Sequence, residues 1–598
     1  MTLQLPREAF ALAMVVSSPI LVVDVETTGL HPHDDYVCGW VFANGTHSLY
    51  VPVRHKGGGN IDQPCQFERQ LAAAFKTRHR LGKLTIGHNL SFDLWMAHKQ
   101  GVLIEAPLDD TLLRAGLIQD DARDYSLEAC AERHGVTAKK GEQLYEHLLR
   151  FARKGTKPSR KMMAHFHRLS GNDPVAVEYA VGDGITTFEL YQAQQPLIES
   201  LGLARVHRLE ADLIPHVAGL RRRGIRIDEG YAPQAMERIN REVGGMLSKF
   251  PDGFNVYKRS DVIAYLKSKD INSFPLTANF AESVNAQYLE TFDEGREIID
   301  LRILTKASDA FIEPLIRDHV RGGRIHPDLV QYSTGEYGTH TGRFSCRLPN
   351  LQQWPKRNAK VGKLVRPLLI PDEGMALAEF DVSQQEPRIA AHFSDEEVLI
   401  KGYNSTPPID YHDNTSRLMG VPRDFAKQLG LAIMNGMRGG GIAKKLHIPL
   451  GQASDHVYSF FRAYPRLHAF MEGAPWVAMQ RGYVFTMLGR RAHMSPEASH
   501  FAVSRIIQGS AADQMKCMLL RACQYCEAYP QINVLMPIHD SIVAQVEDGF
   551  DHSEFHRVLE DNSDFYQIVH GEKVAMKCPL PLGVKTGRNW AAASYGEG

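Results

Sequence analysis

Residues 21–30 read LVVDVETTGL, and two carboxylates, Asp24 and Glu26, stand at the end of an otherwise apolar run. Ile20 to Val25 is rich in β-branched and apolar side chains, which suits a buried strand, and a side-chain period of two puts both acids on one face. Thr27, Thr28 and Gly29 then end the strand. Two adjacent carboxylates repel, and burying them unpaired is costly. The pair needs protons, a basic neighbour, water or a metal ion, and Mg2+ suits carboxylate oxygens while keeping open water positions. A solvated strand end without chemistry is the competing reading, so the rest of the chain has to decide.

The 598 residues are too many for one core, and by length predict roughly three to five domains. With 43% apolar and 23% charged residues the composition is that of a globular protein. A net charge of −1 leaves any basic binding surface local and balanced elsewhere, so charge neither supports nor excludes DNA. The 8 cysteines lack paired CxxC motifs and read as buried thiols of a reducing compartment. Arg7 and Glu8 precede a short apolar stretch broken by SSP, which is a poor signal peptide and too short to span a bilayer. A cytoplasmic protein with no membrane partner is expected.

Residues 1–195 mix short apolar runs (20–25, 37–43, 49–53, 83–87) with helical stretches, an α/β pattern expected to form one domain. From 196 to 598 the chain turns helical, with amphipathic segments at 205–223, 231–249 and 294–320. Strand-like runs return at 376–381, 483–487 and 533–546, around a helical insertion from 401 to about 500. Acids on two strands far apart in sequence can then meet on one sheet.

Three more chemical groups fall in the first domain. In TIGHNLSFDLWMAH, residues 85–98, Asn89 and Asp93 are spaced i, i+4 on a helix starting near the HN turn. In YAVGDGITTFELY, residues 179–191, Tyr179 and Asp183 share that spacing. Four carboxylates and a phenol would hold two divalent ions about 4 Å apart, activating a water and stabilising the departing oxygen of a phosphodiester, with Tyr179 orienting the water. DVETTG, GHNLSFD and YAVGD resemble the three motifs of DEDDy 3′-5′ proofreading exonucleases, which implies an RNase H-like fold and Asp24, Glu26, Asp93 and Asp183 as metal ligands.

The larger half repeats the pattern. In LAEFDVSQQEPRIAAHFS, residues 377–394, Asp381 ends an apolar strand and Glu386 follows; in VLMPIHDSIVAQV, residues 534–546, Asp540 sits at a bend between two strand-like runs. Two strands each delivering an aspartate to one edge would make a second two-metal site. Between them PRDFAKQLGLAIMNGMRGGG, residues 422–441, lines up Arg423, Lys427, Leu431 and Asn435 on one helical stripe. Two cations without acidic partners on that face suit a triphosphate.

With YGTHTGRFSCRLPNLQQWPKR before this helix and IIQGSAAD after it, the ordered motifs resemble those of DNA polymerase I, family A, from about residue 205 to PLGVKTGRNW. The resemblance implies a right-hand polymerase domain: thumb about 230–325, palm about 326–400 and 501–598, fingers about 401–500. It implies Asp381 and Asp540 as ligands of two Mg2+ ions, with Mn2+ as a substitute, and His412, Arg423 and Lys427 on the incoming deoxynucleoside triphosphate. Lys427 would be the general acid, Leu431 and Asn435 would flank the nucleotide, and Glu386 would be the gate against a ribose 2′-hydroxyl. Arg343, Asn350, Gln352, Gln508 and His539 would follow primer-template DNA, and the helix opening at Ser260 and Asp261 is a place to hold its backbone.

Three positions depart from the family pattern. Leu431 and Asn435 stand where an aromatic residue and a tyrosine are usual, and Ser541 replaces the glutamate that usually follows the catalytic aspartate. Asn435 gives the pocket space and polarity for a base pair with an extra minor-groove amino group, as with 2-aminoadenine; ordinary DNA with another side chain filling the space is the simpler reading. The motifs predict a monomeric phage-type replicative enzyme with no 5′-nuclease domain. A single-subunit RNA polymerase shares the aspartates and the cationic helix, but Glu386 and the exonuclease motifs argue against it, and the retained carboxylates argue against a DNA-binding scaffold with degenerate sites.

Overall fold

The structure, a computed structural model, describes residues 6–137, 141–277, 279–307, 312–332, 341–356, 358–434, 436–446 and 448–596. Asn435 lies outside the described residues.

The amino-terminal half is built on five strands: β1 (Ile20–Thr27), β2 (Val37–Ala43), β3 (Ser48–Pro52), β4 (Leu84–Gly87) and β5 (Leu108–Asp110), in the order β3-β2-β1-β4-β5. β4 and β5 run parallel to β1, and β2 antiparallel. β2 is buried along its whole length, as VCGWVFA requires. Helices α1 (Leu90–Lys99) and α2 (Pro174–Ser200) cover the sheet. Asp173 caps α2 by accepting from the N–H groups of Val175 and Ala176, and Pro174 opens it. That helix runs through residue 195, where a domain boundary was expected, to Ser200, and α3 (Ala204–Arg223) follows almost at once.

The second half centres on β6 (Met375–Val382), followed by α4 (Gln385–Ser394), α5 (Tyr411–Met419), α6 (Arg423–Met434), α7 (Ala502–Ala528), β7 (Ile532–Ile538), β8 (Ser541–Glu547) and β9 (Leu582–Gly587). The sheet order is β7-β8-β6-β9, antiparallel throughout. Phe380 and Ala544 from this sheet, Leu213 from α3 and Met515 and Leu519 from α7 share one core. The insertion has its own core around Leu429, Ile433, Phe460 and Leu467. Helices Tyr231–Leu247, Arg259–Lys267 and Asp293–Lys306 border a third core containing Val262, Leu266, Ile298 and Leu301.

Two expected elements are shorter. Residues 483–487 yield Tyr483–Phe485, which pairs with Arg491–His493 in a hairpin outside the central sheet, bracketed by Gly482 and Gly489 at φ 81° and 90°. The amphipathic pattern of 294–320 covers a helix ending at Lys306, a π-helical turn at Leu315–His319 and the strand Val320–Arg321.

The halves are tied by buried contacts. Tyr332, from the second half, lies in the first half's core with its ring 5.4 Å from that of Tyr125. Glu210 of α3 receives Arg490 and Lys516, each at 2.6 Å, and Arg490 also meets Asp513 at 2.9 Å. All four charges of this network are buried, and each has a partner of opposite sign.

Candidate active sites

The first site forms where β1 outruns its parallel neighbour. β4 pairs with Ile20 to Val22 and ends at Gly87, and beyond that pairing the N–H of Val25 donates to Asp93 Oδ1 at 3.0 Å. Asp93 is set there by Asp110, whose carboxylate accepts the N–H groups of Asn89 (2.9 Å) and Leu90 (2.8 Å) while capping the next helix through Leu112 (2.8 Å). Asn89, expected on the helix face, precedes α1 in the left-handed conformation at φ 64°, so only Asp93 lies on the helix. Carboxylate oxygens of Asp24, Glu26 and Asp183 lie within 4.8 Å of one another. Asp93, 3% exposed, is outside that closest group; burial and then the charge of Asp24 raise its carboxyl well above the usual range. Tyr179, one turn before Asp183, keeps its phenol proton far above the usual pKa because of burial and then the charges of Asp183 and Glu26. Hard oxygen donors gathered against their own repulsion fit a divalent cation.

The second site is built by register. β6 pairs with β8 so that Asp381 faces Ser541. His539, at φ 53°, and Asp540 form the turn between β7 and β8, and the N–H of Val382 donates to the Asp540 carbonyl at 2.9 Å, holding the turn against the end of β6. Burial, followed by the charge of Asp381, lifts the Asp540 carboxyl to about 6.

Two residues not anticipated from the sequence complete this centre. Lys356 Nζ lies 3.0 Å from Asp381 Oδ2 and 2.7 Å from Glu379 Oε1. Glu379, 4% exposed, also accepts from Trp590 Nε1 (3.1 Å), Ser594 Oγ (2.6 Å) and Ser541 Oγ (3.4 Å). The i, i+2 spacing of Glu379 and Asp381 is the one that marked Asp24 and Glu26, and it was the available signal.

On α6, Arg423 and Lys427 are exposed along one stripe. Arg423 was expected to lack acidic partners on its helix face, but the start of α5 supplies two, the N-cap Asp410 at 3.1 Å and Asp413 at 2.6 Å. His412, between those acids, is 8% exposed; its Nδ1 finds no hydrogen-bond partner among the described residues, and burial lowers its pKa. Leu431 continues the stripe, half-buried against the insertion core.

Glu386 opens α4 and receives Arg343 Nη2 at 2.6 Å, so two residues given separate roles by resemblance touch each other. His539 Nε2 donates to the Gln352 carbonyl at 3.1 Å, and Gln352 Nε2 to the Pro537 carbonyl at 3.4 Å. Asn350 Oδ1 is buried with no partner among the described residues, and Gln508 is half-buried on α7. Ser260 and Asp261 lie in the first turn of Arg259–Lys267, where Asp261 pairs with Lys258 at 3.0 Å.

The family profile described as DNA polymerase family A matches residues 237–592, and one described as 3′-5′ exonuclease matches residues 7–199. The chain belongs to DNA polymerase family A. It is a DNA polymerase with a 3′-5′ exonuclease domain: an RNase H-like α/β domain followed by a right-hand polymerase domain. It is 30% identical over 591 residues to DNA polymerase DpoZ of Salmonella phage PMBT28, covering 88% of this chain and 91% of that one. Identity to DNA polymerase DpoZ of Acinetobacter phage SH-Ab 15497 is 28% over 585 residues, 89% of this chain and 91% of the other. DNA polymerase I of Rhizobium leguminosarum is 26% identical over 96% of this chain and 59% of its own length. The fold matches the POL domain of Pol1 from M. smegmatis, in complex with DNA primer-template and dNTP, at a TM-score of 0.80 with 21% identity and 99% coverage of both chains. Among the described residues no helix is long and apolar enough to cross a membrane.

Ser541 follows Asp540, and its hydroxyl faces the carboxylate of Glu379. A carboxylate carried by β6 therefore lies beside Ser541 and, through Lys356, Asp381.

Proposed function

We propose that this family A polymerase replicates a phage genome as a monomer in the cytoplasm of a bacterial host, extending primer-template DNA with deoxynucleoside triphosphates and proofreading with its amino-terminal site. The observation that supports the polymerase assignment of residues is the β6-β8 register, which sets Asp381 opposite Ser541 and beside Asp540. Asp381 and Asp540 would hold two Mg2+ ions, with Mn2+ able to substitute, which would supply charge to activate the attacking oxygen and stabilise the departing one.

Arg423, Lys427 and His412 take the triphosphate, Arg423 exchanging Asp410 and Asp413 for phosphate oxygens. As the primer 3′-hydroxyl gives up its proton to solvent, its oxygen bonds to the α-phosphorus, the link to the β-phosphate breaks, and Lys427 donates a proton to the departing pyrophosphate. Leu431 and Asn435 flank the nascent pair. Glu386, held by Arg343, lies against the sugar C2′ and excludes a ribose hydroxyl. Arg343, Asn350, Gln352, Gln508 and His539 follow the primer and its minor groove, where acceptors common to all correct pairs report geometry and not sequence.

In the exonuclease site Asp24, Glu26, Asp93 and Asp183 would hold a second pair of divalent ions, and Tyr179 would orient the water that attacks the last phosphodiester of a frayed 3′ end. The domain divisions are read as an exonuclease up to about residue 195, then thumb, palm and fingers as the resemblance implies. A primer-extension assay tests the whole reading. Each withheld nucleotide should stop synthesis at its template position, Mg2+ should be required, and withholding all four should shorten the primer from its 3′ end. Extension that ignores the template, or proceeds in chelator, would overturn it.

A further inference from the structure

Residues 149–168, LRFARKGTKPSRKMMAHFHR, contain seven Lys or Arg, two His and no Asp or Glu, in a chain of net charge −1. Two of these cations are used internally: Arg150 Nη2 reaches Asp173 at 3.2 Å, and the Arg168 guanidinium lies 4.5 Å from the centre of the Phe151 ring. The other five, Arg153, Lys154, Lys157, Arg160 and Lys161, are exposed and form no ion pair among the described residues. Cations crowded without interleaved acids repel one another, so the segment carries an electrostatic cost that an anion would relieve.

The segment is also firmly mounted beside the exonuclease carboxylates. Residues Arg160–Arg168 form a 3-10 helix whose Met162 and Phe166 point into the core that carries Ala180 of α2. The Phe166 ring is 6.2 Å from that of Tyr179 and 6.4 Å from that of Tyr50. Just past the helix, the Leu169 carbonyl accepts from His55 Nδ1 at 3.0 Å, and His55 Nε2 accepts the Tyr50 hydroxyl at 2.5 Å. Tyr50 itself lies on the catalytic side of the sheet, because Asp24 pairs with Val41 and Val41 with Tyr50. On the other flank, Tyr145 and Tyr179 pack against the same core as Met162 and Phe166, and Arg160 and Asp183 both act on the Tyr145 phenol. The helix that carries Arg160 and Lys161 thus shares a core with Ala180 and Tyr179 of the helix that carries Asp183.

We propose that Arg153, Lys154, Lys157, Arg160 and Lys161 form a guide for single-stranded DNA, binding backbone phosphates upstream of the 3′-terminal linkage presented to Asp24, Glu26 and Asp183. The proposal rests on the exonuclease assignment for where the 3′ end lies, and on the cationic surface for the rest. Phosphate contacts position a strand without reading sequence, which a proofreading site requires. Residues 153–161, RKGTKPSRK, carry no aromatic or large aliphatic side chain, so they lack the anchors of a protein interface or an interfacial membrane helix.

The test uses the full chain carrying Asp24→Ala and Glu26→Ala, so that the probe survives, with 5′-fluorescein-labelled dT12 followed by anisotropy. Adding Arg153→Ser, Lys154→Ser, Lys157→Ser and Lys161→Ser should weaken binding at least about tenfold. It should also lower the slope of log affinity against log salt by about 2 to 3, at roughly 0.7 per single-strand phosphate contact. Lys154→Arg with Lys157→Arg and Lys161→Arg should retain binding, and a closed DNA hairpin without a free single strand should respond little to the serine changes. With the exonuclease carboxylates intact, the serine variant should show a raised KM for dT12 and a smaller advantage of dT12 over dT3. Unchanged salt slope and length dependence would overturn the guide, as would equal loss of binding to the closed hairpin. Loop-dependent binding of dT12 by a wild-type protein that never shortens DNA would uphold the guide and overturn the exonuclease assignment instead.

Discussion

The two carboxylate centres of this polymerase answer the same electrostatic problem differently. The candidate exonuclease centre draws acids from β1 and α2 until three carboxylates come within 4.8 Å, with Asp93 buried and outside that group. The candidate polymerase centre sets Asp381 at the end of β6 beside Asp540 in the turn before β8, and lays Lys356 between Asp381 and the buried Glu379. In the first, repulsion is left for a divalent ion to relieve; in the second, part of the balancing charge is a side chain. A like-charged cluster gains more from an arriving cation than one already partly neutralised.

The largest effect should come from separating the centres. Asp381→Ala should cut primer extension by about 10³-fold, roughly 4 kcal/mol, and spare the exonuclease, while Asp24→Ala with Glu26→Ala should do the reverse. Joint loss in single-turnover assays would mean that the halves are not independent. Next in size, Asp110→Asn keeps the shape but weakens acceptance of the Asn89 and Leu90 N–H groups, so α1 loses its fixed start and Asp93 its aim. Exonuclease activity should fall about 10- to 100-fold, as for groups that support metal ligands, measured on single-stranded DNA.

Lys356→Met should destabilise the protein by about 1 to 2 kcal/mol, because it strips the buried Glu379 of its nearest cation. Glu379→Gln in the same protein should recover most of that loss in urea melts, and an additive double-mutant cycle would show that the pair is not coupled. A related measurement adds Mg2+ to metal-free protein. At about ten times its dissociation constant the ion should stabilise by about 1.4 kcal/mol, and removing Asp24 and Glu26 should abolish more of the thermal shift than removing Asp381. The opposite ranking would reverse the comparison drawn above.

The smallest effect concerns acid. Burial lowers His55, in the exonuclease half, and His392, in the polymerase half, to about 4 each. Unfolded histidine titrates near 6.5, so between the two values the unfolded chain binds more protons and stability declines as pH falls. Each should cost about 1 kcal/mol between pH 6 and 5. His55→Asn and His392→Asn should each remove one such increment from the pH dependence of melting, and an unchanged dependence would mean that the ring takes up its proton while folded.

Much of both centres was legible without coordinates. Asp24 with Glu26, Asp381 and Asp540 were visible because a strand's period of two makes an acid at the end of an apolar run stand out, and Tyr179 with Asp183 because i, i+4 is one helical face. The helical reading misplaced Asn89, whose backbone is left-handed and held by Asp110, a residue 21 positions away. Arg423 looked unpartnered because its own helix offers no acid on that stripe, whereas Asp410 and Asp413 reach it from the start of α5. Glu379 repeats the strand signal but gains meaning only beside Lys356 and Ser541.

What the sequence by itself determined is which side chains can share a face, since that depends on the local repeat of strand and helix. Only the tertiary structure decided which faces meet: the β6-β8 register that brings Asp381 to Asp540, the early end of β4 that lets Asp93 reach Val25, and the packing of α5 on α6 that hands Arg423 two aspartates. The physical reason is range. Periodicity acts over one or two turns of chain, whereas the field at each carboxylate is set by charges within a few ångströms that arrive from dozens to hundreds of residues away.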